Sequence, residues 1–257
     1  MNATCDFNIA FPQIDSIPQG QEYFILEREG VKEKIVFHDY DKIYEIPGLY
    51  EYLFYERYKC KSPETVCSLL HEQIKQEKTQ EIEKIQALDI GAGNGMVGEQ
   101  LAGIGAESIV GIDIIDEAAE ALQRDRPGIY DAYHVADLTC LSPDVEASLT
   151  RCDFNCMTVV AALGFGDIPP EAFACGYNLV SEKAWVAFNI KEDFIKKEDQ
   201  SGFRKLIDAM DAQGIMDIRD KKRYRHRFCQ DGTPLYYYAV VGKKVCDIPG
   251  ELVRAVS

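Results

Sequence analysis

The sequence predicts an α/β fold built on a mostly parallel sheet with helices on both faces. Three observations carry this. From residue 85 onward, short apolar runs alternate with helix-forming segments at the spacing of strand–helix–strand units. The first run, IQALDI, passes straight into a glycine-rich turn, GAGNG at 91–95. The chain then closes on two extended segments, IMDIRDKKRYRHRF and LYYYAVVGKKV, joined through Asp231-Gly232 with no helix between them.

Residues 1–20 carry Pro12, Pro18 and Gly20 without periodicity and read as an irregular arm. EYFILEREGVKEKIVFHDY reads as a hairpin. Tyr23, Ile25 and Glu27 alternate with Phe24, Leu26 and Arg28, the chain turns at Glu29-Gly30, and Ile35, Val36 and Phe37 form the return run. PGLYEYLFYERYKC, 47–60, is dense in aromatics, and Leu49, Tyr52, Leu53 and Tyr55 suit one packed face of a helix. Ser62-Pro63-Glu64 signals a helix start, with Ser62 as N-cap and Pro63 at the first position. That helix is expected through ETVCSLLHEQIKQ, and the charged stretch QEKTQEIEKIQ ends it or links it onward. The expected division is a cap over 1–80 and an α/β domain over 81–257.

Within the second part, IQALDI is the first strand and 95–101 opens a helix. SIVGID, 108–113, is the second strand, followed by a helix over 116–123; YHVAD, 133–137, is the third strand. FNCMTVVAAL, 154–163, has the near-continuous apolar run of a strand buried on both faces. Pro169-Pro170-Glu171 starts another helix, AWVAFNI, 184–190, is the fifth strand, and 202–210 is helical.

Composition narrows the function. Apolar residues make up 46% and charged residues 28%, an ordinary globular balance. No window approaches the roughly 18 apolar residues of a membrane span, and the N-terminus lacks the features of a secretory signal. The nine cysteines are odd in number and form no C-x-x-C pair, so neither a disulfide framework nor a metal site is expected, and a reducing cytoplasm fits. The net charge of −15 disfavours nucleic-acid and membrane partners and points to a small-molecule substrate. KKRYRHR, 221–227, is the exception. On a strand, Arg223, Arg225 and Arg227 would share one face, with Tyr224 and His226 on the other. A solvated edge strand guarded by charge is the favoured reading, over a clamp for an anionic substrate.

The glycine-rich turn admits two registers. Gly93-x-Gly95-x-x-Gly98 meets the dinucleotide pattern, and Asp89-x-Gly91-x-Gly93-x-Gly95 meets an acid-x-G-x-G-x-G pattern. A dinucleotide's pyrophosphate would be opposed by the Asp89 carboxylate, which suits a cationic ligand end better. Gly91, Gly93 and Gly95 let the backbone approach the ligand where a Cβ would intrude. Asp113 ends the second strand, 24 residues after Asp89, and can accept hydrogen bonds from two ribose hydroxyls, a device that dinucleotide sites share, so Asp113 alone does not separate the two registers. Asp137, 24 residues further, can accept from an adenine amino group, with Leu138 packing near the ring. Three acids at the carboxyl ends of successive strands would line one crevice.

On ALDIGAGNG, VGIDI with Asp113, VADL with Asp137, the fourth-strand region CMTVVAALGFGDIPPEAF and the closing antiparallel pair, the chain resembles the class I S-adenosylmethionine-dependent methyltransferases over roughly 35–245. Within that class it is similar to the small-molecule group related to the Williams–Beuren-region methyltransferase-like proteins, whose VGAL segment is here VAAL, 160–163. The resemblance implies a Rossmann-like seven-stranded sheet of order 3-2-1-4-5-7-6 with strand 7 antiparallel. It implies S-adenosylmethionine as cofactor, held by Asp89, Gly91, Gly93, Asn94, Gly95, Asp113, Ile114, Asp137, Leu138 and Val160. It also implies a tyrosine that closes over the methionine end. In FHDYDKIYE, Phe37 replaces the first tyrosine of the family's motif, Tyr44 matches the second, and Tyr40 is an additional candidate.

The expected activity is methyl transfer to a small-molecule acceptor. The alternatives are a non-enzymatic S-adenosylmethionine-binding protein and a nicotinamide-dependent oxidoreductase using Gly93–Gly98. No catalytic base and no oligomeric state can be read. His38 and His134 read as structural, and Asn189, Lys191 and Glu192 fall at the rim where the fifth strand ends. After the fourth strand, Leu163-Gly164-Phe165-Gly166-Asp167 lacks the Asn/Asp-Pro-Pro-aromatic loop of enzymes that methylate nucleic-acid bases.

Overall fold

A seven-stranded sheet organises the computed structural model, which describes residues 7–12, 17–28, 30–77, 84–163, 167–195 and 201–256. Before it comes a three-stranded antiparallel sheet of β1 (Asn8–Ala10), β2 (Tyr23–Arg28) and β3 (Val31–Val36), in that order. The expected hairpin is therefore β2–β3, with Glu29 outside the described residues. The expected irregular arm is corrected, since Ile9 pairs with Leu26 and adds a third strand.

Two short helices follow, α1 (Tyr40–Glu45) and α2 (Leu49–Glu51), and α2 runs on as a π-helical turn, Tyr52–Arg57. The wider π turn brings Leu53 and the adjacent Phe54 both inward, where a regular 3.6-residue helix would separate them. Phe24, Leu26, Ile35, Phe37, Ile43, Leu49 and Leu53 form the apolar core of this cap. The next helix, α3 (Ser62–Gln76), carries Pro63 in its first turn, but Ser62 is not its N-cap; Lys61 holds that position. The Ser62 hydroxyl is drawn instead into a buried side-chain network.

The main sheet runs through β4 (Ile85–Ile90), β5 (Ala106–Asp113), β6 (Ala132–Val135), β7 (Cys156–Val159), β8 (Trp185–Lys191), β9 (Met216–Phe228) and β10 (Pro234–Lys244). Its order is β6-β5-β4-β7-β8-β10-β9; counted within this sheet alone, that reads 3-2-1-4-5-7-6. β10 pairs antiparallel with both β8 and β9, while the pairs among β4–β8 are parallel. The helices between strands are α4 (Met96–Gly103), α5 (Asp116–Asp125), α6 (Pro143–Thr150), α7 (Pro170–Leu179), α8 (Phe203–Ala212) and, after β10, α9 (Gly250–Val256).

Period-two alternation divides the strand residues between two cores. Leu88, Ile90, Met157 and Phe188 face Phe173 and Tyr177 of α7 and Leu206 of α8. Ala87, Cys156, Ala187 and Ala239, all small, face Val66 and Leu70 of α3 and Leu101 of α4. β7 is shorter than its apolar run suggested. At Ala161 the backbone enters the left-handed region (φ 60°), and the chain leaves the sheet past the carboxyl end of β7.

The basic stretch lies on β9, the edge strand. Its expected alternation breaks at His226. The register passes from Arg227↔Leu235 to Arg225↔Tyr236, leaving His226 as a bulge residue. Arg227 is consequently buried with His226 rather than exposed beside Arg223.

Candidate cofactor site and its surroundings

A cavity of about 310 Å³ opens at the carboxyl ends of β4, β5 and β6. Open parallel sheets leave a crevice there because the connections depart to opposite faces. Of the residues expected to hold the cofactor, Gly91, Asp113, Ile114, Asp137, Leu138, Val160, Tyr40 and Tyr44 line it. Asp89, Gly93, Asn94 and Gly95 do not.

Gly91 forms the floor. Its φ is +67°, and an added Cβ would lie 2.8 Å from Ala162 Cβ and 3.1 Å from Ile168 Cδ1. Gly93 sits behind the wall, at φ +53°, where a Cβ would come within 2.4 Å of the Tyr44 hydroxyl. The Gly93 N–H donates to Asp113 Oδ2 at 2.8 Å, and Ile115 N–H donates to Oδ1 at 3.1 Å. Backbone N–H groups thus hold both Asp113 oxygens at the edge of the cavity. Burial raises the Asp113 pKa, with the backbone N–H bonds opposing that rise. Asp137 is exposed, and its Oδ1 accepts from both the N–H and the hydroxyl of Thr139, at 2.7 Å each, which lowers its pKa. Between these acids Ile114 leaves 59% of its surface open, next to buried Leu138. Together they make an apolar shelf flanked by carboxylates.

Asp89 lies beneath the site rather than in it. It is fully buried, and its oxygens accept from the hydroxyls of Tyr130 and Thr158, both at 2.6 Å. Desolvation pushes its pKa up to about 7. The expectation that it meets a cationic ligand end therefore gives way to a structural role under the glycine turn. Asn94 is buried and ties the turn to the cap, donating to Glu51 Oε1 (3.3 Å) and Asp125 Oδ2 (3.1 Å). Gly95 opens α4 in the left-handed conformation (φ 88°).

The cap supplies the facing wall. Tyr44 and Tyr50 pack with ring centroids 4.7 Å apart, and Tyr40 stacks beside Tyr44 at 6.4 Å. Burial keeps all three phenols protonated, with Tyr50 pushed up to about 12. Tyr50, Asp167 and the Ala161–Ala162 turn line the cavity too, and of these only Tyr50 falls in a segment, the aromatics of 50–58, whose sequence admits a cavity-facing role beside packing. The Ala161 turn has no sequence marker. A polar clasp holds the cap down. Arg126 Nη1 donates to Glu51 Oε1 (2.7 Å), Arg126 Nε to Glu99 Oε2 (3.1 Å), and Arg124 Nη1 to the Tyr44 carbonyl (3.1 Å).

The rim residues play other parts. Asn189 is buried and accepts from the Ala161 N–H at 2.6 Å, which anchors the strained turn. Lys191 pairs with Asp193, and Glu192 binds Arg223 through two bonds of 2.9 Å. His134 meets Ser148 at 3.4 Å. Among the described residues no cluster suited to a metal ion occurs, every cysteine is a free thiol, and no helix is long and apolar enough to cross a membrane.

No family model matches the sequence, and no curated protein matches it. Solved structures do match in fold. The candidate RNA methyltransferase PH1948 from Pyrococcus horikoshii is 15% identical, with 72% of this chain and 87% of that chain covered at a TM-score of 0.51. Magnesium protoporphyrin IX methyltransferase from Synechocystis PCC 6803, with SAM bound, is 15% identical over 70% of this chain and 78% of that one at a TM-score of 0.46. At these identities the likeness is one of fold: a seven-stranded mixed sheet with helices, consistent with the Rossmann-like methyltransferase architecture.

Proposed function

We propose that the protein is an S-adenosylmethionine-dependent methyltransferase acting on a small-molecule acceptor. The observation that carries this is the meeting of Asp113, held by backbone N–H groups, with Asp137, Ile114 and Leu138 around one cavity beside the Gly91 floor. That arrangement fits a ligand with two adjacent hydroxyls, as on a ribose. The Ile114–Leu138 shelf fits a flat base, with Asp137 placed to accept from its amino group. Val160 and the Tyr40–Tyr44 pair fit the amino-acid end, so the residues present suit the cofactor. When bound, it supplies a methyl group already activated on sulfur, so the protein's work is to align and shield it. Asp89, Gly93, Asn94 and Gly95 support the reading indirectly, by shaping the turn that offers the Gly93 N–H to Asp113.

The small acceptor is supported by the enclosing cap and by the net charge of −15, which opposes polyanion binding. A nicotinamide reading is disfavoured because Arg126, which lies beside the turn at the Asn94 carbonyl, is already committed to Glu51 and Glu99, and Arg124 to Asp125. Calorimetric titration with S-adenosylmethionine, S-adenosylhomocysteine and NADH tests the assignment. The expected result is micromolar binding of the first two, weakened at least tenfold by Asp113→Ala. Binding of NADH alone would overturn it.

A further inference from the structure

Val160, Ala161 and Ala162 form one wall of the larger cavity, just past the carboxyl end of β7. That wall stands against the floor. A Cβ added at Gly91 would lie 2.8 Å from Ala162 Cβ, so the placing of Ala162 sets the shape of the cavity there. The placing of Ala162 depends in turn on Ala161, whose φ of 60° carries a steric cost for any residue with a Cβ. Alanine has no side-chain means of favouring that conformation, so the surroundings must hold it.

The hold comes from Asn189. β7 and β8 pair in parallel as far as Val159 and Phe188. At the next residue of β8 a side chain takes over from the backbone ladder, and the Ala161 N–H donates to Asn189 Oδ1 at 2.6 Å. Asn189 is fully buried and does not line the cavity. Its amino end donates to Ser62 Oγ (3.0 Å) and Tyr224 Oη (2.6 Å). A flipped amide would face the Ala161 N–H with a second donor, so the orientation of the side chain is fixed. The partners are fixed as well. The Tyr224 hydroxyl donates to Ser62 Oγ (2.7 Å), and the Ser62 hydroxyl donates to His226 Nδ1 (2.5 Å). Burial, with Arg227 alongside, draws the His226 pKa well below its ordinary value, so the neutral ring accepts there. Side chains from α3, β8 and β9 thus aim one oxygen at one backbone N–H.

We infer that Asn189 is a positioning residue for cofactor binding, holding Ala161 in the left-handed region so that the Val160–Ala162 wall keeps the shape the cofactor requires. The inference rests on the methyltransferase reading. It separates from a purely structural role in two ways. What matters at position 189 is an acceptor, not an amide. Asn189→Asp keeps an oxygen for Ala161, and the Ser62 and Tyr224 hydroxyls can turn to donate to it; Asn189→Leu keeps the bulk and offers no acceptor. The need for that acceptor also lapses when residue 161 has no Cβ, because glycine enters the left-handed region without the steric cost.

The test is calorimetric titration of the full-length protein with S-adenosylhomocysteine, with urea unfolding of each variant alongside. Asn189→Asp should bind as the native chain does, and Asn189→Leu should bind about tenfold more weakly. Adding Ala161→Gly to Asn189→Leu should recover most of that affinity while leaving the urea midpoint as low as in Asn189→Leu alone. A merely structural Asn189 would move affinity and midpoint together. Should Asn189→Leu fail to fold, Asn189→Ala with and without Ala161→Gly makes the same comparison. An Asn189→Leu chain that binds like the native one, a loss that Ala161→Gly does not recover, or an Asn189→Asp chain as weak as Asn189→Leu overturns the inference and leaves the methyltransferase reading standing. Native protein that binds neither S-adenosylmethionine nor S-adenosylhomocysteine overturns both.

Discussion

Replacing Asp89 with asparagine isolates the cost of a charge buried under the glycine turn. The Asp89 carboxyl titrates at about 7 in the folded chain against 3.8 for a free aspartate, chiefly because of desolvation. Between those values the folded chain keeps a proton that the unfolded chain has released, so its stability falls as pH rises. The gap of about 3 pH units, at ~1.36 kcal/mol each, places the full penalty near 4 kcal/mol above both values. From pH 5 to pH 8 the portion incurred is about 2 to 3 kcal/mol. Asparagine cannot ionise, and the Tyr130 and Thr158 hydroxyls that donate to Asp89 can rotate to serve an amide. Asp89→Asn should therefore gain about 2 to 3 kcal/mol over the native chain between pH 5 and pH 8. Urea unfolding of both proteins at pH 5, 6.5 and 8 measures this. A stability difference that stays constant across the three pH values would refute the reasoning.

Two further outcomes are expected. Arg227→Met leaves Glu22 charged and fully buried, and should cost about 3–5 kcal/mol by denaturant unfolding, while the Glu22→Gln/Arg227→Met pair should recover most of that loss. Gly93→Ala places a Cβ 2.4 Å from the Tyr44 hydroxyl, and should weaken S-adenosylhomocysteine about tenfold by calorimetry, beyond the ~1–2 kcal/mol of stability lost to the left-handed backbone.

The main sheet was legible because its signals are local. Apolar runs of strand length, the glycine turn and Asp113 at a strand end can each be read within a few residues. Asp113, Asp137 and Gly91 reached the cavity because a parallel sheet places consecutive strand ends side by side. Asp89 had the right spacing, but alternation along β4 does not show that its side chain turns down toward Thr158 on β7. Ser62 had every local mark of an N-cap. Its hydroxyl is claimed by His226, 164 residues away, and nothing near Ser62 announces that partner. The β9 bulge was equally hidden. A single extra residue turns Arg227 from the solvent face to the interior, and the driving force is Glu22 waiting at the base of the cap.

The clasp between cap and core makes the position of the tyrosine wall depend on a few polar links. A molecule in the larger cavity meets Tyr40, Tyr44 and Tyr50 on the cap side and the exposed Ile114 and Asp137 on the other. Lifting the three rings requires the links from Glu51 to Arg126, from Asn94 to Glu51 and from Arg124 to the Tyr44 carbonyl to part. The Glu51 carboxylate is about a third exposed, within reach of dissolved ions. The grip of the cap on its tyrosine wall is then tied to ionic strength, and salt loosens that wall before it touches the apolar core beneath it.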